Sequence, residues 1–238
     1  MTGTLYVIGV GPGDPELLTL KAARLLREAS CICVPKGREE GSSFALSIVK
    51  GAVNIDGKEI IEAHFPMRKT NDLLHGAELD AKWNEAAEAV LKRLRQGTDV
   101  AFITLGDPTI YSTFFYLHDR LLGVDPALMI EIIPGVSSIN AAASRAGISL
   151  GLANEKIAVI PATYIKDLQG VLRDFDTLVL MKVHKVFDDI RESLEEADLV
   201  ENAVYVVRAG MQDERVFKNI REVTGKDLDY FSMMIVKK

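Results

Sequence analysis

The apolar positions of the chain follow two periods that alternate along its length. Short runs rich in β-branched and aromatic residues, beginning with residues 5–8, predict buried strands. Between these runs, apolar residues three and four positions apart predict helices, of which the longest covers residues 74–95. Strands that alternate with helices in this way are typical of α/β folds, so we predict an α/β protein. Further strands are predicted at 31–34, 59–62, 99–105, 128–133, 157–160, 177–181, 204–207 and 231–236, and further helices at 44–49, 114–122, 140–146 and 187–194.

The pattern contains one break that is suited to a domain boundary. The helical spacing of residues 114–122 stops at Gly123, and the following residues 124–126 include a proline and precede a fresh set of alternating elements. We therefore predict two α/β domains, residues 1–123 and residues 124–238, with a ligand cleft between them.

The stretch Gly9–Asp14 is the turn around which the first half of the chain is organised. It follows the predicted strand 5–8 and precedes apolar residues at helical spacing. Asp14 suits the N-cap of that helix, because its carboxylate can accept a backbone N–H, and Pro15 suits the first helical position. A glycine turn that links a strand to a helix is the usual position of a ligand in an α/β protein.

This turn does not match a dinucleotide-binding fingerprint. Asp14 stands where the third glycine would be and would place a carboxylate against a pyrophosphate, and Pro12 removes one amide N–H. The strand 31–34 ends in Pro35 and Lys36 and offers no acid for a ribose. A nicotinamide-dependent oxidoreductase is therefore a weaker alternative. A non-catalytic ligand-binding module, or a tight turn without any ligand, also remains open.

Composition and charge argue against several classes of protein. The chain has 238 residues, of which 48% are hydrophobic and 26% charged, as is usual for a globular protein. Its net charge of −6 argues against a nucleic-acid partner. No apolar run approaches the roughly 18 residues of a membrane helix, so we expect no membrane partner. The first residues run straight into a strand without a cleavable leader, and we therefore expect a cytoplasmic protein.

No protein-bound metal site is predicted. The two cysteines, Cys31 and Cys33, lie on a predicted strand and are expected to be small buried hydrophobes. The four histidines are scattered along the chain and include no H-x-x-x-H pair.

Three motifs of the chain resemble those of one known family, the tetrapyrrole (corrin and porphyrin) methylases. The motifs are Gly9–Ala22, Gly106–Ser112 and Ile133–Ser138, and they occur in the order and at the spacing familiar in that family. The resemblance extends from Leu5 to Val236, which is nearly the whole chain. It implies two α/β domains with the cofactor in the cleft between them, S-adenosylmethionine as the methyl donor, and a homodimer.

Three further pieces most resemble one branch of this family. They are Tyr111–Phe114, Leu180–Val183 and Asp229–Ser232, and the branch methylates C20 of precorrin-2 or cobalt-precorrin-2 in cobalamin biosynthesis. The resemblance therefore implies a C-methyltransferase that acts on one of these two tetrapyrroles. Methylation of another tetrapyrrole position is the nearest alternative.

Methyl transfer from a sulfonium does not require a catalytic triad. The transfer is an in-line displacement with an excellent leaving group, so an enzyme mainly aligns the donor with the acceptor and excludes water. The segment 204–209 is also expected to contact the cofactor. Asp107 is expected to accept the amino group of the cofactor, or to cap a helix ahead of Pro108, and the two roles are compatible. The cofactor-binding residues that the resemblance implies are Pro12, Leu105, Gly106, Asp107, Ile110, Ser137, Ser138, Met181 and Lys182.

The tetrapyrrole substrate that the resemblance implies carries acetate and propionate carboxylates. An acidic protein needs a local basic patch to bind such a substrate. Tyr111 is a candidate catalytic residue, because it could orient the macrocycle or assist a proton step, although it could equally pack in the core. The candidate substrate-binding residues are Lys36, Arg38, Arg68 and Lys69, followed by Lys182 and His184.

Overall fold

The computed structural model describes residues 2–36, 43–64 and 76–238. The chain divides into two compact units, which we call unit 1 (Met1–Ser137) and unit 2 (Ser138–Lys238). Each unit contains one five-stranded sheet together with helices, so the α/β fold class is confirmed.

Unit 1 is a parallel sheet with helices on both faces. Its strands are β1 (Leu5–Gly9), β2 (Cys31–Lys36), β3 (Glu59–His64), β4 (Val100–Thr104) and β5 (Ile130–Ile133), and its helices are α1 (Leu20–Glu28), α2 (Phe44–Ala52), α3 (Gly76–Arg95) and α4 (Phe114–Val124). The strands lie in the order β3-β2-β4-β1-β5, and every neighbouring pair is parallel. The loops that follow β4, β1 and β5 therefore emerge side by side at one edge of the sheet.

The two faces of this sheet are both buried. On one face Phe102 packs against Phe114 of α4, with 5.3 Å between the ring centroids. Leu94 of α3 belongs to the same apolar cluster. On the other face Ile103 belongs to a cluster with Leu26 of α1. Because both faces are covered, the residues that point to either face are apolar, and each strand forms a continuous apolar run in the sequence.

The first helix begins later than the sequence pattern predicts. Asp14 Oδ1 accepts the backbone N–H of Glu16 at 2.9 Å, but it caps only a 3-10 turn, Pro15–Leu17. The backbone of Leu18 is extended, and α1 starts at Leu20 with Thr19 as its N-cap. The prediction that Asp14 caps the main helix is wrong, because Thr19 provides the cap five residues later.

The boundary between the two units also differs from the predicted one. Strand β5 pairs in parallel with β1, so that Leu5 lies beside Ile130. The division lies between Ser137 and Ser138 rather than after residue 123. Gly123 lies within helix α4, which ends one residue later at Val124, and the pairing that assigns the next strand to unit 1 is long-range.

Unit 2 contains a mixed sheet. Its strands are β6 (Ile157–Pro161), β7 (Thr177–Met181), β8 (Ala203–Val207), β9 (Arg215–Phe217) and β10 (Ser232–Lys237), and its helices are α5 (Ser138–Ala146), α6 (Leu168–Asp174) and α7 (Phe187–Glu196). The order is β6-β7-β10-β8-β9, and β10 runs antiparallel to both neighbours, β7 and β8. The carboxyl ends of β7 and β8 therefore lie at the same edge, on either side of the start of β10.

Both cysteines are free and fully buried in β2. Burial, together with the neighbouring carboxylate of Glu59, raises the pKa of Cys31 to about 11. Burial also raises the pKa of Cys33 far above its usual value. Alternate residues of a strand share a face, and both side chains belong to one core cluster.

We expect both thiols to resist labelling in the native protein. At pH 8 a thiol of pKa 11 is about one part in a thousand thiolate, and the thiolate is the reactive form. A colorimetric thiol reagent should therefore titrate both cysteines only after guanidinium is added. Fast reaction of either cysteine without denaturant would contradict this burial.

None of the helices in the described part of the chain combines the length and the apolar character needed to cross a membrane. The same residues contain no group of three or more histidine, cysteine or acidic side chains arranged to hold a metal ion.

Candidate functional site

Three loops meet at the carboxyl edge of the unit 1 sheet, after β1, β4 and β5. The first two are joined by a small backbone bridge, in which Gly106 N donates to Gly11 O at 2.8 Å and Gly11 N donates to Gly106 O at 3.3 Å. Both glycines have positive φ, 79° and 71°, which other residues rarely adopt. The glycine turns after β1 and β4 are therefore in direct backbone contact.

The third loop is packed equally closely against the other two. A Cβ on Gly135 would lie 2.3 Å from Gly106 O and 2.7 Å from the carbonyl carbon of Gly9. A Cβ on Gly9 would lie 2.7 Å from both Gly106 O and Gly135 N. We call Gly9, Gly106 and Gly135 the glycine cluster. Its members bring three backbone segments into contact at distances that no side chain allows.

Asp107 connects two of these loops. Its Oδ1 accepts the backbone N–H of Thr109 at 2.8 Å and also the Thr109 hydroxyl, while its Oδ2 accepts the backbone N–H of Gly135 at 3.0 Å. Partial burial raises the pKa of Asp107, but the hydrogen bonds from Thr109 and Gly135 outweigh it and hold the pKa below its usual value. Helix α4 starts only at Phe114, so Asp107 caps a local turn and not that helix.

The charges of the three loops indicate the kind of ligand they suit. Residues 9–14, 105–113 and 134–138 contain no lysine or arginine, but they contain the carboxylates of Asp14 and Asp107. A phosphate would find no cation there. S-adenosylmethionine carries a positive sulfonium and a positive amino group, and an edge with acidic side chains and accessible backbone suits both groups. The residues present therefore fit this cofactor.

The structure brings six of the predicted cofactor-binding residues to this one edge. Pro12 is buried in the first loop, and Ser137 is buried in the third. Ile110 lies in the second loop, and its apolar side chain is 38% exposed. The remaining three predicted residues, Ser138, Met181 and Lys182, belong to unit 2. The six residues at the unit 1 edge are Pro12, Leu105, Gly106, Asp107, Ile110 and Ser137.

Tyr111 lies in the second loop and is 52% exposed. Its φ of 51° is unusual for a bulky residue, and such outliers are more common at functional sites than elsewhere. The loop is anchored just beyond it, where Ser112 Oγ lies 3.2 Å from Thr104 Oγ1 and accepts the backbone N–H of Phe114. Tyr111 is thus outside the core, and its predicted catalytic role stays a prediction.

Of the four substrate-binding residues predicted in the first half of the chain, one is described, and the further candidates Lys182 and His184 lie in unit 2. Lys36 is the last residue of β2, and its Nζ lies 2.7 Å from Oε2 of Glu62 on β3. Its charge is therefore already partnered. Arg38, Arg68 and Lys69 lie outside the described residues.

The corresponding edge of unit 2 holds a second cluster. Lys182 follows β7 and Arg208 follows β8, and both have positive φ, 59° and 54°. Lys182 N donates to Ser232 O at 3.1 Å, and Arg208 N donates to Phe231 O at 2.7 Å. The backbone N–H groups of the two residues thus bind the start of β10 from both sides. Arg208 also lies within the segment 204–209 that was expected to contact the cofactor. Tyr230, at 47% exposure, completes this edge.

Sequence reasoning missed Arg208 and Tyr230 as site residues. The guanidinium of Arg208 lies 2.9 Å from Oδ1 of Asp213 and 3.3 Å from Oδ2 of Asp229. Neither the positive φ nor the pairs with Asp213 and Asp229, which lie 5 and 21 residues further along the chain, leaves a recognisable pattern in the sequence. The signals were the expected cofactor contact within residues 204–209, which include Arg208, and the resemblance of the segment Asp229–Ser232, which includes Tyr230.

The model of the family "Tetrapyrrole (Corrin/Porphyrin) Methylases" matches residues 4–224. The chain is 38% identical, over 100% of its length and 98% of that protein, to cobalt-precorrin-2 C(20)-methyltransferase from Salmonella typhimurium. It is 32% identical, over 98% of its length and 95% of that protein, to precorrin-2 C(20)-methyltransferase from a Sinorhizobium species.

A solved structure with the same fold is that of uroporphyrin-III C-methyltransferase from Thermus thermophilus, complexed with S-adenosylhomocysteine. Its TM-score is 0.66 at 22% identity, over 99% of this chain and 98% of that chain. At this level of identity the similarity establishes the fold.

Proposed function

Because the chain belongs to the tetrapyrrole (corrin/porphyrin) methylase family, we propose that it methylates C20 of precorrin-2 or cobalt-precorrin-2 in cobalamin biosynthesis. The observation that carries this proposal is identity of 32–38% along the whole chain with two relatives that bear this activity in their names. The enzyme is accordingly an S-adenosylmethionine-dependent methyltransferase.

The three loops of unit 1 are the proposed place of the methyl donor. S-adenosylmethionine supplies an activated methyl group on a sulfonium, so the protein does not have to generate a leaving group. The glycine cluster leaves backbone N–H and carbonyl groups approachable without intervening side chains. The acidic side chains of Asp14 and Asp107 favour a cationic ligand at this edge. In unit 2 we propose that Ser138 and the end of β7, at Met181 and Lys182, contact the same cofactor.

The contribution of the chain's own residues to the rate is positional. A methyl transfer gains most from alignment of donor and acceptor and from exclusion of water, and rigid loops provide the alignment. Asp107 holds two loops together, and the Ser112 hydroxyl anchors the second loop to β4 through Thr104. We propose that the exposed Tyr111 orients the macrocycle or assists the loss of the hydrogen from the methylated carbon.

The test combines binding and product analysis. Calorimetry should detect S-adenosylhomocysteine and should detect no binding of NAD, whereas the reverse result would favour an oxidoreductase. Metal-free and cobalt-loaded precorrin-2 are then supplied anaerobically with S-adenosylmethionine, and the methylated position is read by NMR. Methylation at a position other than C20 would overturn the proposed regiochemistry, and the faster acceptor identifies the natural form.

We further propose a homodimer that works in the cytoplasm and takes only small-molecule substrates. The support is the resemblance to the family and the net charge of −6, which disfavours nucleic acid. Light scattering of the purified protein measures the mass directly, and a mass of one chain at micromolar concentration would overturn the dimer.

Acceptor affinity is expected to fall as salt rises, while S-adenosylhomocysteine affinity changes much less. The acceptor is a polycarboxylate and the protein is acidic, so binding depends on local basic residues that salt screens over roughly 8 Å at physiological strength. Titrations of both ligands at about 0.05 M and about 0.5 M salt measure the two slopes. The double variant Arg38→Gln/Arg68→Gln should raise the acceptor KM and flatten its salt slope. Normal acceptor binding by this variant would show that these two loops do not hold the acceptor.

A further inference from the structure

Lys182 lies at the carboxyl edge of unit 2, directly after β7. Across the residues that the structure describes, no aspartate or glutamate lies within ion-pair distance of its ammonium. Its Nζ instead lies 5.7 Å from the centroid of the Tyr230 ring, a cation–π distance. Its backbone N–H already donates to Ser232 O, so the ammonium is the donor that this residue has left for a ligand.

Arg208 provides the contrast on the other side of β10. It is also seated against an aromatic ring, with its guanidinium carbon 5.9 Å from the Phe231 centroid. However, the carboxylates of Asp213 and Asp229 already compensate its charge. A second anion would have to displace one of them. Of these two cations, Lys182 is the one whose charge is available.

The surroundings of Lys182 suit an incoming anion. Tyr230 is 47% exposed, so the ring and the ammonium above it can be reached from solvent. The His184 ring packs edge-on against the same Tyr230 ring at 5.7 Å. Burial and then the Lys185 ammonium lower the pKa of His184, against the opposing effects of Asp229 and a hydrogen bond to the Lys182 backbone, and the shift favours the neutral imidazole. A neutral imidazole adds a polar hydrogen-bonding group without a second charge.

We propose that the Lys182 ammonium, seated on the Tyr230 ring, binds a carboxylate of the tetrapyrrole acceptor. This inference rests on the proposed function, because the acceptor is the ligand with several carboxylates. S-adenosylmethionine has one carboxylate of its own, so the same chemistry has a second possible source. The backbone around Lys182 can still contact the cofactor while its side chain serves the acceptor.

The test uses Lys182→Gln, which removes the charge, is one heavy atom shorter than lysine, and keeps a β-carbon at this position of positive φ. Lys185→Gln is the matched control, since Lys185 is exposed and lies three residues away. We expect Lys182→Gln to weaken equilibrium binding of precorrin-2, followed by absorbance, by about tenfold or more, as for the loss of a charged hydrogen bond. Lys185→Gln should bind within about twofold of the wild type. Lys182→Arg should restore most of the affinity.

Tyr230 provides an independent arm of the same experiment. Tyr230→Phe keeps the aromatic ring and should leave the affinity for the acceptor nearly unchanged. Tyr230→Leu removes the ring on which the Lys182 ammonium lies and should weaken acceptor binding severalfold. Equal affinities for both variants would overturn the role of the ring. Thermal melts of every variant confirm that the fold is retained.

The cofactor arm separates the two sources of the carboxylate. S-adenosylhomocysteine has the amino-acid carboxylate and methylthioadenosine lacks it. Unchanged affinity of Lys182→Gln for both supports the acceptor assignment, while a loss for S-adenosylhomocysteine alone assigns Lys182 to the cofactor and overturns it. If Lys182→Gln binds the acceptor with the affinity of the wild type, the acceptor assignment is also overturned. Failure of the wild type to bind or methylate either form of precorrin-2 would instead overturn the proposed function.

Discussion

Replacing Gly135 by alanine is expected to reduce the methyl-transfer rate and S-adenosylhomocysteine affinity by about a hundredfold or more. The new Cβ would lie 2.3 Å from Gly106 O and 2.7 Å from the Gly9 carbonyl carbon. Both contacts are backbone atoms, so relief requires that the three loops separate. A displacement of about 1 Å in a positioning element can cost about two orders of magnitude in rate. The overpacking should also lower the free energy of unfolding by about 1–3 kcal/mol.

Gly123→Ala is the matched control for this variant. Gly123 lies in α4, and a Cβ there would have no heavy atom within 4 Å. Alanine should raise stability by about 0.5–1 kcal/mol, because a helical glycine loses more backbone entropy on folding. Thermal melts of the two variants should move in opposite directions, and calorimetric titration should show weaker S-adenosylhomocysteine binding only for Gly135→Ala. Wild-type affinity and stability in Gly135→Ala would show that the three loops are not in the described contact.

Replacing Asp107 by asparagine should raise the Kd for S-adenosylhomocysteine by about tenfold or more. The amide group can still accept from Thr109, but its NH₂ would meet the backbone N–H of Gly135, where the carboxylate oxygen now accepts at 3.0 Å. One charged hydrogen bond is lost and two donors face each other, which costs about 1.5–3 kcal/mol. Calorimetry with the folded variant measures the change, and unchanged affinity would contradict it.

Methylthioadenosine separates the two roles proposed for Asp107. If Asp107 acts by holding loops together, the variant should lose affinity for S-adenosylhomocysteine and for methylthioadenosine, which lacks the amino group. If the carboxylate binds the amino group directly, only S-adenosylhomocysteine should be affected. We expect the first result, because both carboxylate oxygens already accept hydrogen bonds from the chain itself.

The pH dependence follows from the direction of the pKa shift. The pKa of Asp107 is lower in the folded protein than its usual value, so its stabilising contribution is present above about pH 4 and is lost as pH falls through the lower folded pKa. Asp107 should therefore cause no change in affinity between pH 5 and pH 9. A change in the wild type within that window that is absent from Asp107→Asn would contradict the lowered pKa.

The strands of unit 1 could be predicted because their residues are buried on both faces and therefore apolar throughout. The domain boundary could not, because Gly123 and the following proline are local signals while the pairing of β5 with β1 is long-range. Strand β9 has three residues and helix α6 has seven, so neither is long enough for a period to establish it from sequence alone. The cap at Thr19 was missed because Asp14 and Pro15 make an equally good local signal.

The candidate site shows the same division between local and long-range information. The motifs around Gly9, Gly106 and Gly135 could be recognised by resemblance, but their mutual contact depends on three strands brought side by side by the sheet. Asp107 was identified, whereas its bond to Gly135 was not. Lys182 was assigned from its motif, but its positive φ and its seat on Tyr230 depend on where β10 enters the sheet.

The position of β10 has a consequence for the order in which the chain can fold during synthesis. Unit 1 is complete once residue 137 has left the ribosome, and all five of its strands are then present. In unit 2, β10 lies between β7 and β8 but is the last strand to be made, so the sheet has no centre until residues 232–237 emerge. Translation proceeds at about 5–20 residues per second, and N-terminal domains generally fold first. The edges of β7 and β8 that face β10 therefore stay unpaired for several seconds during synthesis. A chaperone that binds exposed strand edges would have its largest effect in that interval.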